Sequence, residues 1–129
     1  MGSFFQMKLN IRTFVLGFTG IINTVLAFLG MVIPAKAFGE DNLSVVILSN
    51  LRAFTAAELA LTLFSLYSLS HKQYQDMALT FILLTVIGWT VGQSLSIVMD
   101  GSPGSFTIAT IIIQAIFIPL TWMALKKKP

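Results

Sequence analysis

The sequence predicts an all-α protein: a single four-helix transmembrane bundle with both termini cytoplasmic. Three observations carry this reading. First, four long apolar runs, at about Arg12–Ile33, Val45–Leu69, Met77–Met99 and Phe106–Leu125, take up most of the 129 residues. Each reaches the ~20 residues that a helix rising ~1.5 Å per residue needs to cross ~30 Å of hydrocarbon. Second, 56% of the chain is hydrophobic and only 10% is charged, against about 25% charged in a soluble domain. Third, lysine and arginine gather at alternate ends of the runs. Lys8, Arg12, Lys72 and Lys126 to Lys128 fall on one side; the other side holds Lys36 beside Glu40 and Asp41, and then Asp100. The positive-inside rule places the first set in the cytoplasm. The whole chain, 1–129, thus reads as one integral membrane domain.

The first run contains Gly17, Gly20, Asn23, Thr24, Ala27 and Gly30. Small residues at three- and four-residue spacing let another helix approach closely. Pro34 ends this span, because it cannot continue the backbone ladder. Ala35-Lys36-Ala37 has the form of a signal-cleavage site, but the preceding apolar stretch is longer than the ~7–15 residues of a signal peptide, so a retained span is expected. Gly39-Glu40-Asp41-Asn42 reads as an exposed turn. The second run holds Asn50, Arg52 and Glu58, and His71-Lys72-Gln73 makes a short turn after it. The second and third helices should therefore be antiparallel neighbours. In the third run Gly88, Gly92 and Ser96 form a small-residue stripe that Asp100 continues, and this stripe is expected to be a packing face. Asp100 to Ser105 is a glycine- and proline-containing turn. The fourth run carries Gln114 and Pro119, with Trp122 and the lysine tail as interfacial anchors.

Several chemistries are excluded. The chain has no cysteine and one histidine. Disulfides, iron–sulfur clusters and cysteine-based zinc sites are therefore out of reach, as are a haem ligand pair and a histidine zinc triad. No metalloprotease, Walker A or dinucleotide-binding motif occurs. The net charge of +3 comes from residues flanking the spans and is no sign of nucleic acid. One arginine and one embedded carboxyl are a thin basis for catalysis, so neither an enzyme nor a cofactor is expected.

The candidate ligand-binding residues are Arg52, Glu58, Gln93, Gln114, Asn23 and Asp100. An ionisable group within a span costs about 2.5–3.5 kcal/mol on insertion scales, so it normally faces a bundle interior or a wet cavity. By helix rise, Arg52, Gln93 and Gln114 fall at nearly one level, about 10–12 Å below the extracytoplasmic ends. Glu58 and Asn23 lie deeper. This arrangement suggests an outward-facing polar pocket with a carboxyl near its floor. It is equally compatible with polar groups that only bond each other and hold the bundle together. Arg52 is expected to bond Asp100 or the Gln93 and Gln114 amides, and Glu58 to bond Asn23 or Thr62.

Leu51-Arg52-Ala53, Gly92-Gln93-Ser94-Leu95-Ser96 and Asp100-Gly101-Ser102-Pro103 carry a further signal. With these motifs the chain resembles a bacterial family of small four-span inner-membrane proteins of unknown function, loosely DoxX-like. The resemblance implies the fold and no reaction. It also implies an arginine after the glycine and an acidic residue midway in the fourth span, where this chain has Gln93 and Gln114.

Three functions are consistent with these residues. The first is a non-enzymatic protein binding a hydrophobic or lipid-like ligand in the pocket, or serving as accessory subunit of a membrane complex. The second is a small oligomeric proton- or cation-coupled transporter or channel using Glu58. The third is a quinone-linked redox subunit, for which no ligand set is present. Expected partners are membrane lipid, a hydrophobic small molecule, and a second copy or a larger membrane complex.

Overall fold

Four helices run the length of the chain. A computed structural model describes residues 10–33, 44–101 and 104–127, apart from the side chains of Val46 and Phe106. Most of the first expected loop, with its Ala35-Lys36-Ala37 and Gly39 to Asn42 segments, lies outside the described residues, as do Ser102 and Pro103. The helices are α1 (Ile11–Val32), α2 (Val45–Ser68), α3 (Gln75–Asp100) and α4 (Ser105–Lys126), with a 3-10 turn at Lys72–Tyr74 leading into α3. All four are long and apolar enough to cross a membrane. The chain is a four-helix transmembrane bundle, and the described residues contain no strand.

Each boundary has a local cause. Asn10 caps α1 through a reciprocal capping box: its side chain accepts from the Thr13 amide at 3.0 Å and its amide donates to Thr13 Oγ1 at 2.9 Å. α1 stops at Val32, ahead of Pro34, as the proline dictates. Ser44 caps α2 by accepting from the Ile47 amide at 3.3 Å. Gly101 and Gly104 adopt φ of 96° and 108°, a region costly for any residue with a Cβ, and so turn the chain between α3 and α4. Pro119 sits inside α4, where the other backbone bonds keep the helix intact.

Among the described residues the backbones of α1 and α3 each approach all three other helices, whereas those of α2 and α4 do not approach each other. The bundle is therefore a rhombus whose short diagonal is α1–α3. α1 packs most closely on α2. At Gly20 an added Cβ would lie 2.7 Å from Leu66 Cδ2, so this glycine permits the approach, and Thr24 Oγ1 donates to Thr62 Oγ1 at 3.0 Å just above it. Phe14 and Phe18 of α1 stack with Phe117 of α4, with centroids 6.5 and 5.3 Å apart. α2 and α3 meet through rings: Phe64 with Tyr74 and Phe81, and Phe54 with Trp89.

The core lies at the end of the bundle that carries Arg12, the α2–α3 turn and the end of α4. Val15, Leu16, Leu69, Ala78, Leu79 and Ala124 are its centre. Ile, Leu, Val and Phe side chains cover much of the outside, as a hydrocarbon solvent allows. The Gly88–Gly92–Ser96 stripe corrects an expectation. It is exposed, and an added Cβ at either glycine would meet nothing within 4 Å. The core face of α3 runs through Ala78, Ile82 and Val86, and Gly88 lies about 200° around the helix from Val86.

Candidate functional site

The structure sorts the polar residues into a lateral groove, a saturated cluster at one end, and scattered local pairs. The groove lies between α2 and α3 with α1 as its back wall; it is half open, and its enclosed space is only about 30 Å³, room for about one water. Thr19 and Asn23 come from α1, and Glu58, Thr62 and Ser65 from α2. Thr85, Phe81 and Trp89 of α3 form the other wall. By helix rise, Ser65 lies about 5 Å and Glu58 about 15 Å above the Ser68 end of α2. The groove therefore runs from near mid-span toward the end that bears both termini.

Glu58 is half-buried and has neither a hydrogen bond nor an ion pair among the described residues. Asn23 shares its groove, as the sequence suggested, but does not bond it. Thr62 is also present, yet its hydroxyl donates to the Leu59 carbonyl at 3.0 Å and accepts from Thr24. Ser65 donates to the Leu61 carbonyl at 3.1 Å. Thr19 is 8% exposed, and its Oγ1 is buried without a hydrogen-bond partner.

The other four sequence candidates lie elsewhere. Arg52 is exposed and donates from Nε to the Met31 carbonyl at 3.1 Å. That carbonyl belongs to the last turn of α1, where backbone acceptors have no intrahelical donor and a cation is favoured. This corrects the expected pairing with Asp100 or the two amides. Asp100 is exposed and accepts from Ser96 Oγ of its own helix at 3.1 Å. Gln114 is buried and accepts from Thr90 Oγ1 at 3.1 Å rather than from Gln93. Gln93 keeps a buried Oε1 without a partner. An outward-facing pocket joining all six residues does not form. Glu58 lines the upper end of a groove reaching the opposite way, between the Phe54–Trp89 and Phe64–Phe81 contacts of α2 with α3.

Sequence reasoning treated Arg12 only as an orienting charge. It is instead the most connected side chain in the bundle, at 1% exposure. Its Nε donates to Gln75 Oε1 at 3.2 Å, and Nη1 donates to the carbonyls of Ala124 and Lys127. Its Nη2 pairs with Asp76 Oδ1 at 2.6 Å. Gln75 passes the link on by donating to the Ser68 carbonyl at 3.1 Å. One guanidinium thus ties the start of α1 to the end of α2, the start of α3 and the end of α4. The signal was present: Asp76 is the one acidic residue in the segments at that end, and it immediately precedes the third run.

Lys126 Nζ lies 5.2 Å from the Trp122 ring centroid, a cation over an aromatic face at the helix end. Among the described residues no three His, Asp or Glu side chains gather to hold a metal ion.

No curated protein and no solved structure matches the chain. A family model described as a domain of unknown function matches residues 11–125, from the first residue of α1 to the last turn of α4. The four helices and the cluster that joins their ends are the body of that domain, and the chain belongs to the DUF4345 family.

Proposed function

We propose that this is a non-enzymatic multi-pass protein of the bacterial inner membrane that holds a hydrophobic or lipid-like ligand in the α2–α3 groove. It does so alone or as an accessory subunit of a larger membrane complex. Its termini face the cytoplasm, following the lysines at that end. One observation carries the reading: a groove at membrane depth contains a carboxyl and a buried hydroxyl with no protein partner. Buried polar groups normally find partners, and in hydrocarbon none comes from solvent. A ligand with a polar head and an apolar body supplies them. Kinship with DoxX-like proteins belongs to this proposal and adds no residue to it.

The test is native mass spectrometry of protein released from membranes in mild detergent. Wild type should carry a retained lipid-like mass, and Thr85→Phe, which fills the groove, should lose it. Equal occupancy in both refutes the reading.

Glu58 also supports a second reading, a proton- or cation-coupled transporter, in which the carboxyl must change state during turnover. Glu58→Gln keeps shape and hydrogen bonding and removes titration. A binder tolerates it, whereas loss of proton-driven flux in proteoliposomes would put the transporter reading first.

A further inference from the structure

The groove is chemically one-sided. Its acid is Glu58, and no lysine, arginine or histidine lines it. The basic side chains that could have reached it are committed elsewhere: Arg12 to carbonyls, Gln75 and Asp76, and Arg52 to the Met31 carbonyl. Two of the hydroxyl hydrogens are used as well. Thr62 and Ser65 donate to carbonyls of their own helix, leaving oxygen lone pairs toward the groove. Phe81 and Trp89 add π faces, which are negative. Trp89 is held by Phe54 at 6.2 Å and Phe81 by Phe64 at 6.3 Å. The carboxyl, the lone pairs and the ring π systems attract positive charge; the Thr19 hydroxyl, the Asn23 amide and the Trp89 indole N–H can donate, but no full positive charge in the lining compensates an anion.

Resting on the ligand-binding reading, we propose that the groove selects amphiphiles with a cationic head, such as a long-chain amine or quaternary ammonium, over those with an anionic head. The ammonium sits between Glu58 and the Trp89 ring, and the hydrocarbon tail leaves through the open side between α2 and α3 into the bilayer. An organic cation of this kind neutralises the carboxyl where water cannot, and gains a cation–π contact that strengthens on desolvation. A phosphate head would bring its charge beside the Glu58 carboxyl with no Arg or Lys to receive it.

Trp89 provides the readout. The chain has two tryptophans, so Trp122→Phe leaves Trp89 as the sole emitter. That protein is placed in phosphatidylcholine nanodiscs and titrated with octadecylamine or octadecyl phosphate brominated on the chain, at matched mole fraction. Saturable quenching by the amine should occur at about a tenfold lower mole fraction than by the phosphate, the factor a charge-assisted contact carries. Glu58→Gln should bring the two titrations together. A gap that survives Glu58→Gln overturns the proposal, because the carboxyl is then not its source. Equal saturation by both heads in the starting protein, abolished by Thr85→Phe, overturns the selectivity and leaves ligand binding in the groove standing. No saturable quenching by either probe overturns both.

Discussion

Replacing Arg12 should destabilise the bundle far more than replacing the acid it pairs with. The Arg12 side chain is 2% exposed and that of Asp76 is 67% exposed. A solvent-exposed carboxylate is screened, so the ion pair itself is worth about 0–1 kcal/mol. The larger part lies in the guanidinium's bonds to the Ala124 and Lys127 carbonyls and to Gln75 Oε1. Two of these acceptors belong to the end of α4, where backbone carbonyls lack donors of their own. Arg12→Met preserves much of the stem and removes every donor. Each buried acceptor left alone costs about 1–3 kcal/mol, and water reaching the Lys127 end lowers the total, so about 2–4 kcal/mol is expected. Asp76→Asn should cost at most about 1 kcal/mol. Arg12→Lys should fall between them, because one ammonium cannot fork to carbonyls and an amide together. Unfolding of the detergent-solubilised protein by graded SDS, followed by helical circular dichroism, measures all three. Equal losses for Arg12→Met and Asp76→Asn would refute the argument, since the ion pair would then carry the cluster. A neutral Arg12→Met would refute it more simply.

Gly20→Ala should lose about 1–3 kcal/mol in the same assay, because its Cβ would press on Leu66. Gly88→Ala and Gly92→Ala, with open space around them, should be neutral or gain up to about 1 kcal/mol; the reverse order would refute the assignment of the α1–α2 contact. Arg52→Leu removes one exposed bond to a helix-end carbonyl and should cost only about 0.3–1 kcal/mol, a value that a multi-kilocalorie loss would overturn. Because the chain contains no cysteine, single cysteines at Gly39 and Ser102 should label from outside intact cells and one at Gln73 should not; labelling at Gln73 would invert the proposed orientation.

The helices were legible because their cause is local. Twenty apolar residues bounded by Asn10, Ser44, Pro34 and the Gly101–Gly104 turn leave a lipid-embedded backbone little choice. The structure moves their ends by only a residue or two. The site was legible in part. Depth along a helix follows from residue count, so the sequence by itself orders Glu58 and Asn23 below Arg52. Azimuth does not follow so easily when apolar residues surround the whole helix. That is why the Gly88 stripe could be expected to pack within the bundle, where it meets no other helix of the chain, and why Gln93, Gln114 and Arg52 could be grouped at one level without facing one another. Arg12 was hidden for another reason. A flanking cation usually serves orientation, and only the three-dimensional return of α4 brings the Ala124 and Lys127 carbonyls to it.

The contrast between Arg12 and Glu58 separates holding a bundle together from binding something in it. Both are charged-type side chains in an apolar protein, so insertion cost alone would assign them one role. Their surroundings assign different ones. Arg12 meets four acceptors that belong to the protein, and Gln75 continues the chain of bonds to Ser68. Every nitrogen of the guanidinium has a protein acceptor there. Around Glu58 the hydroxyls of Thr62 and Ser65 are turned to their own backbone and Thr19 Oγ1 has no partner. A sequence selected only for packing could have placed leucine at position 58, as replacing buried polar groups by apolar ones of similar volume is often neutral or stabilising. The guanidinium cluster is satisfied by the protein and the Glu58 groove is not, and it is in that groove that the proposed ligand would complete the structure.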